Sequence, residues 1–260
     1  MAQILSSPEN NKICALIPAA GRGTRLKADC PKLLVGLDEQ NTIWSILKSI
    51  ILPSVEQIHI VLSDFAQPLM EEVLEQDPDK EKISTSIQLQ PLGMGDAIFG
   101  AHQYWRDFDT ILIAWGDQVN LSADTVRQVA AATGRQNRLV LPLSAQAAPY
   151  VQYDFSGPTL INVRQSREGD LTDAGGFSDI GLFALSVPGL YQRWQDYLAV
   201  SGNGLATGEI NFLPFMPYLS RHCAWEVLKI EIADPDEARG VNTPEDLDFA
   251  RRRFLVKKDV

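Results

Sequence analysis

The hydrophobic pattern begins with an unbroken apolar run, Ile13 to Pro18. A run without polar alternation fits a central strand covered on both faces. The next apolar positions change period. Ile43, Ile46, Leu47 and Ile50 fall on one face of a helix expected over 41–51, with Asn41 or Thr42 as its cap and Pro53 beyond its end. Strand-like and helix-like segments then take turns. Strands are expected over 57–63, 86–90, 110–115 and 138–143, and helices over 67–75, 96–105 and 122–132. Alternation of this kind is the pattern of a parallel sheet wound with helices.

The pattern changes after residue 143. Segments 150–155 and 160–164 flank Ser156-Gly157-Pro158 and read as an antiparallel hairpin. A strand is expected over 177–185 and a helix over 189–200. A further helix over 209–219 is interrupted by Pro214 and Pro217, which shorten or kink it. A strand over 225–230 follows. The last helix, 244–254, has Thr243 as its cap and Asp246 in the capping-box position. There is no internal repeat, low-complexity stretch or linker. The expectation is a loose tail over 1–11 and a single domain over 12–255. Its fold class is α/β: a mostly parallel, Rossmann-like sheet with helices on both faces, plus a small antiparallel subregion.

Composition narrows the partners. The 260 residues carry a formal net charge of −10. That argues against broad binding to nucleic acid or to an anionic membrane, which needs a basic face. No run of about 18 apolar residues is present, so no membrane span is expected. The polar start of the chain carries no secretory signal. Cys14, Cys30 and Cys223 are scattered, and His59, His102 and His222 stand far apart without metal-ligand spacing. A cytoplasmic location is the expectation, and an oligomer is compatible with the sequence.

The chemistry starts where the first strand breaks into small residues. Ala19-Ala20-Gly21-Arg22-Gly23-Thr24-Arg25 is followed by Pro31-Lys32. Glycines let backbone N–H groups approach phosphate oxygens, and two cations stand close by. A P-loop would need GxxxxGK[ST], which is absent. A dinucleotide fingerprint would need a third glycine where Leu26 stands. The G-x-G-T-R stretch with P-K seven residues after Arg25 resembles the signature of the sugar-phosphate nucleotidyltransferases. Within them it is similar to the uridylyltransferase domains acting on N-acetylglucosamine 1-phosphate. The resemblance implies the glycosyltransferase-A-like nucleotidyltransferase fold, with 12–143 as the nucleotide-binding part and 144–240 as the acceptor or lid part.

Further motifs extend the resemblance. Gln88 to Ala97 is similar to the family's Q-x-x-x-x-G-T-G-H-A, with Met94 in place of Thr and Asp96 in place of His. Gly116-Asp117 stands for the family's G-D, and Gly240-Val241-Asn242 for its G-V-N. The resemblance implies Arg25 and Lys32 as catalytic residues. It implies Ala19, Ala20, Gly21, Gly23, Thr24, Gln88, Gly93, Met94 and Gly116 as nucleotide-binding, and Asp117 and Asn242 as holders of Mg²⁺. For the acceptor it implies Tyr150, Glu168, Asp179 and Glu209, where the match is loosest.

The function so implied is transfer of a nucleotidyl group from an NTP, UTP first among pyrimidines, to a sugar 1-phosphate or similar phosphorylated acceptor, with release of pyrophosphate. Alternatives remain a cytidylyltransferase for a small phosphorylated alcohol, a molybdopterin guanylyltransferase type, and a silent nucleotide-sugar-binding subunit. The hexapeptide repeats of the bifunctional relatives are absent, so no acetyl transfer is expected.

Overall fold

The computed structural model describes residues 11–21, 24–26 and 28–258. The chain runs β1 (Ile13–Ala19), α1 (Ile43–Ile51), β2 (Gln57–Leu62), α2 (Ala66–Glu75), β3 (Ile83–Ile87), α3 (Met94–Gly100), α4 (His102–Trp105), β4 (Thr110–Ala114) and α5 (Ala123–Ala131). It continues through β5 (Arg138–Gln146), β6 (Val151–Ser156), β7 (Thr159–Gln165), β8 (Gly176–Asp179), β9 (Leu182–Ser186), α6 (Leu190–Leu198), α7 (Phe215–His222), β10 (Glu226–Glu231) and α8 (Pro244–Lys258). Strands β10-β5-β9-β4-β1-β2-β3 form one sheet in that order, β8 adds to β5, and β6 with β7 makes a separate hairpin. Pairs β1–β2, β1–β4, β2–β3 and β5–β10 are parallel, whereas β9 lies antiparallel between β4 and β5.

Strand β1 shows why the sheet is covered on both sides. Ile13, Ala15 and Ile17 enter one buried cluster with Trp44, Leu47 and Val126. Cys14 and Leu16 enter a second with Phe99, Trp105 and Phe215. Successive side chains leave a strand on opposite faces, so an unbroken apolar run serves two cores. Cys14 is fully buried, and burial followed by the nearby Glu56 charge pushes its thiol up to about 12. It packs as a small apolar residue.

Several expected boundaries move. The third strand lies at β3, ahead of 86–90, because Ile83 to Ile87 pair in register with Ile58 to Leu62 of β2. The helix expected over 96–105 divides at Ala101, whose ψ of 11° leaves the helical range. The strand expected over 177–185 is split between β8 and β9 by Gly181, at φ +71°. The helix expected from 209 starts only at Phe215. Ile210 instead donates its N–H to Leu92 O at 2.7 Å and accepts from Gly95 N–H at 2.9 Å. That backbone is committed to the loop before α3. Among the described residues, no helix is long and apolar enough to cross a membrane.

The order of strands marks a candidate crevice. The chain leaves β1 toward β2 and β3, then returns to the other side of β1 with β4. Loops after β1 and β4 therefore part at the carboxyl ends of neighbouring parallel strands, and open α/β sheets bind ligands in such crevices.

Candidate active site

The loop after β1 is pinned by buried leucines that follow its cations. Arg25 precedes Leu26 (5% exposed), and Lys32 precedes Leu33 (2% exposed), each in a short tight turn. Burying each leucine leaves its neighbour to face the crevice. After β4, Gly116 packs on the β1 loop: a Cβ there would lie 3.2 Å from Ala19 Cβ. The third wall is 240–242. Val241 N–H donates to Asp117 O at 3.0 Å, and a Cβ on Gly240 would come within 2.8 Å of Asp117 Oδ1. Glycine at 240 is what lets this segment press against the carboxylate.

These walls bring four expected residues together. Lys32 Nζ donates to Asp117 Oδ2 at 3.2 Å and to Asn242 Oδ1 at 3.0 Å. Arg25 Nη2 reaches Asn242 Oδ1 at 3.5 Å. Asn242 does not cap α8 with its side chain. Thr243 does that, accepting from Asp246 N–H at 3.2 Å, while Asp246 Oδ2 accepts from the N–H groups of Asn242 and Thr243.

The cleft around them holds about 640 Å³ and runs from Ala19, Gly21 and Met94 past Asp117 to Tyr150, Arg167 and Asp179. A second hollow of about 350 Å³ shares Ala19, Gly21 and Lys32 and extends to Ser63, Asp64 and Phe65 at the end of β2. Asp179 is buried, accepting from Tyr153 O–H at 3.0 Å and from Gly181 N–H at 2.8 Å. Burial raises its carboxyl above the ordinary range against the pull of those two bonds, and the Asp117 charge adds to the rise.

Other expected residues are placed differently. Gln88 and Gly93 do not line the cleft among the described residues. Gln88 Nε2 donates to Gly93 O at 3.0 Å and to Asp96 Oδ2 at 2.7 Å, so its donors are turned onto its own loop. Gly93 sits at φ +114°, where a Cβ would meet Glu209 Cβ and Ile210 O at 2.8 Å. Its need for glycine is met by packing. Ala20 is buried behind the loop. Gly23 and the side chain of Thr24 lie outside the described residues.

The glutamates expected at the acceptor end, Glu168 and Glu209, are not among the residues lining the cleft. Glu168 accepts from Thr207 Oγ1 at 2.6 Å, from Asn211 Nδ2 at 2.9 Å and from the N–H groups of Ala206 and Thr207. Burial alone would raise its carboxyl, but these bonds outweigh it and hold the group down at about 2. Glu168 ties down the 204–211 loop. Glu209 pairs with Arg167. Arg167, the neighbour of Glu168, faces the cleft instead. The two side chains stay within 3.5 Å of each other and both bond Asn211, so spacing alone does not say which one lines the cleft. Gln118 also lines the cleft, without a motif signal to single it out.

Comparison with known proteins follows this geometry. The model of the MobA-like NTP transferase domain matches residues 15–172. The chain belongs to this family. It is 28% identical to the bifunctional protein GlmU of Bradyrhizobium diazoefficiens over 238 residues, covering 88% of the chain and 49% of that protein. It is 29% identical to GlmU of Acidithiobacillus ferrooxidans over 243 residues, covering 92% of the chain and 51% of that protein. The chain thus spans about half the length of these curated relatives. In fold it is similar to a nucleotidyl transferase from Methanothermobacter thermautotroptrophicus, with a TM-score of 0.65 at 20% identity over 95% of this chain and 100% of that one. It is also similar to a putative glucose-1-phosphate thymidylyltransferase from Bacillus anthracis, with a TM-score of 0.72 at 13% identity over 93% and 94%. The sequence-based expectations of an NTP transferase and of a mostly parallel α/β fold are both met. The matched range spans both the loop after β1 and the Gly116-Asp117 turn after β4.

Proposed function

We propose that the chain transfers a nucleotidyl group from an NTP, with UTP as first choice, to a sugar 1-phosphate, releasing pyrophosphate. The observation that carries this is the convergence of Arg25, Lys32, Asp117 and Asn242 at the β1–β4 crevice. A glycine loop, two cations and two oxygen ligands are what two polyanionic reactants need if they are to approach each other.

The residues fit a magnesium ion. A carboxylate oxygen and an amide oxygen converge on one positive centre, the Lys32 ammonium, at 3.2 and 3.0 Å. Both are hard donors, and Mg²⁺ commonly takes one or two protein oxygens and fills its remaining positions with water and phosphate. Asp117 and Asn242 would hold the ion, which supplies Lewis-acid neutralisation of phosphate charge when bound.

The rest is the work of the chain. Arg25, exposed at the mouth, takes the β- and γ-phosphates and the departing pyrophosphate. Lys32 exchanges its bonds to Asp117 and Asn242 for oxygens of the α-phosphate. The acceptor phosphate attacks the α-phosphorus, the bond to the β-phosphate oxygen breaks, and pyrophosphate leaves. The acceptor phosphate is already ionised, so no side chain has to take a proton. Positioning and fixed charge carry the rate.

The base faces the second hollow. Gln88 N–H donates to Leu62 O at 2.8 Å beside it, and Phe65, 61% exposed, offers an aromatic face there. A base reaches Gln88 through Oε1 unless Asp96 releases Nε2. A screen of UTP, CTP, dTTP and GTP against glucose 1-phosphate and N-acetylglucosamine 1-phosphate with Mg²⁺ tests the reading by pyrophosphate release. The expected result is pyrophosphate from a sugar phosphate with UTP preferred. Preference for GTP overturns the choice of base, and release with no acceptor present overturns transfer.

A further inference from the structure

Gln118 follows the Asp117 carboxylate, lines the cleft and is only 5% exposed. Its Oε1 is buried with no hydrogen-bond partner. A buried oxygen without a donor is destabilising, and such groups in folded proteins call for a specific explanation. Here the chain makes room for it. Gly181 has φ +71°, and a Cβ on it would lie 2.5 Å from Gln118 Cγ; a Cβ on Gly240 would lie 3.1 Å from Nε2. Glycines on both sides clear the space this amide fills. Its backbone is fixed by an N–H bond to Trp115 O at 3.2 Å.

The surroundings say what would meet Oε1. The neighbouring carboxylates, Asp117 and Asp179, only accept when ionised. A phosphate gains nothing from an amide oxygen, because both are acceptors. Lys32, which suits phosphate, spans Asp117 and Asn242, and Arg25 reaches Asn242, so phosphate has donors of its own there. A hydroxyl donates to Oε1 and carries no charge. We infer that Gln118 is a specificity-determining residue that accepts a hydrogen bond from a hydroxyl of the phosphorylated acceptor. This rests on the sugar-phosphate reading above. Water bound to a metal ion on Asp117 offers the same O–H chemistry, and the experiment separates the two.

The full chain is titrated calorimetrically with glucose 1-phosphate, with N-acetylglucosamine 1-phosphate and, separately, with the Mg²⁺ complex of the nucleotide that the screen selects. Wild type, Gln118→Leu and Gln118→Met are compared, and each is melted without ligand. Both variants are expected to melt no lower than wild type, because the oxygen they remove has no partner in the free protein. Both are expected to bind the sugar phosphate that wild type takes at least about tenfold more weakly, with nucleotide affinity unchanged. Equal affinity for that sugar phosphate overturns the inference, as does a loss confined to the Mg²⁺–nucleotide arm, which assigns the donor to metal-bound water. Melts lowered in both variants overturn it too, by marking the amide as structural. If the wild-type chain binds neither glucose 1-phosphate nor N-acetylglucosamine 1-phosphate in the same titration, the sugar-phosphate reading is overturned, and the inference falls with it.

Discussion

Lys32 holds the centre of the site through two partners far away in sequence, Asp117 at 85 positions and Asn242 at 210. Its pairing with Asp117 is partly exposed, with side chains at 20% and 17%, so the bond itself contributes only about 1 kcal/mol or less to stability. On the proposed function its value lies in placing charge where the phosphates would meet. Lys32→Ala, Arg25→Ala and Asp117→Ala are each expected to lower turnover by about 10²-fold or more while the melting temperature moves by only a few degrees. Full turnover in folded Asp117→Ala contradicts the metal assignment. These four residues were legible in the sequence because each lies in a short motif, Gly-Thr-Arg, Pro-Lys, Gly-Asp or Gly-Val-Asn. Arg167 and Gln118 were not. Arg167 shares its turn with Glu168, both are bonded to the 204–211 loop, and only the tertiary packing shows that Arg167 is the one lining the cleft.

Elements that depend on periodicity were read well, and elements that depend on tertiary backbone bonds were not. α1 starts at Ile43 behind Thr42, which forms a reciprocal cap with Ser45, as its apolar stripe and capping residues required. The helix before α7 does not form because Ile210 is bonded to the loop ahead of α3, a pairing invisible in the local pattern. The β2–β3 pair carries its own prediction. His59 is fully buried in β2, with Nδ1 and Nε2 at 2.8 and 2.9 Å from the hydroxyls of Ser84 and Ser86 in β3, and it stacks on Tyr104. Burial holds it down at about 4, below the ordinary 6.5. The unfolded chain therefore binds the proton first. Stability is full above about pH 6.5 and falls between there and pH 4, by up to about 3 kcal/mol. Denaturant melts across that range are expected to show the slope, and His59→Gln is expected to flatten it. A slope unchanged in His59→Gln assigns the effect to other groups.

At the scale of the molecule, strands from both halves of the chain join one sheet, and β1 at its middle serves both cores. That architecture was legible because apolar runs and amphipathic stripes alternate through residue 143. The insertion of β9 between β4 and β5 was not, since strand order is set by long-range pairing. Against a net charge of −10, the cleft gathers Arg25, Lys32, Arg167 and Arg239 beside its aspartates. On the proposed function, anionic substrates would be drawn to Arg25 and Lys32 and held away from the rest of the surface.

The most direct test of nucleotidyl transfer follows the α-phosphorus itself. The chain is incubated with Mg²⁺, a sugar 1-phosphate and UTP labelled at the α-phosphorus, and the products are separated. The account predicts the label in a sugar-linked nucleotide, formed in equal amount with pyrophosphate and abolished by Asp117→Ala. Label recovered only in free UMP or UDP, or an Asp117→Ala variant that still forms the sugar-linked nucleotide at the wild-type rate, contradicts it.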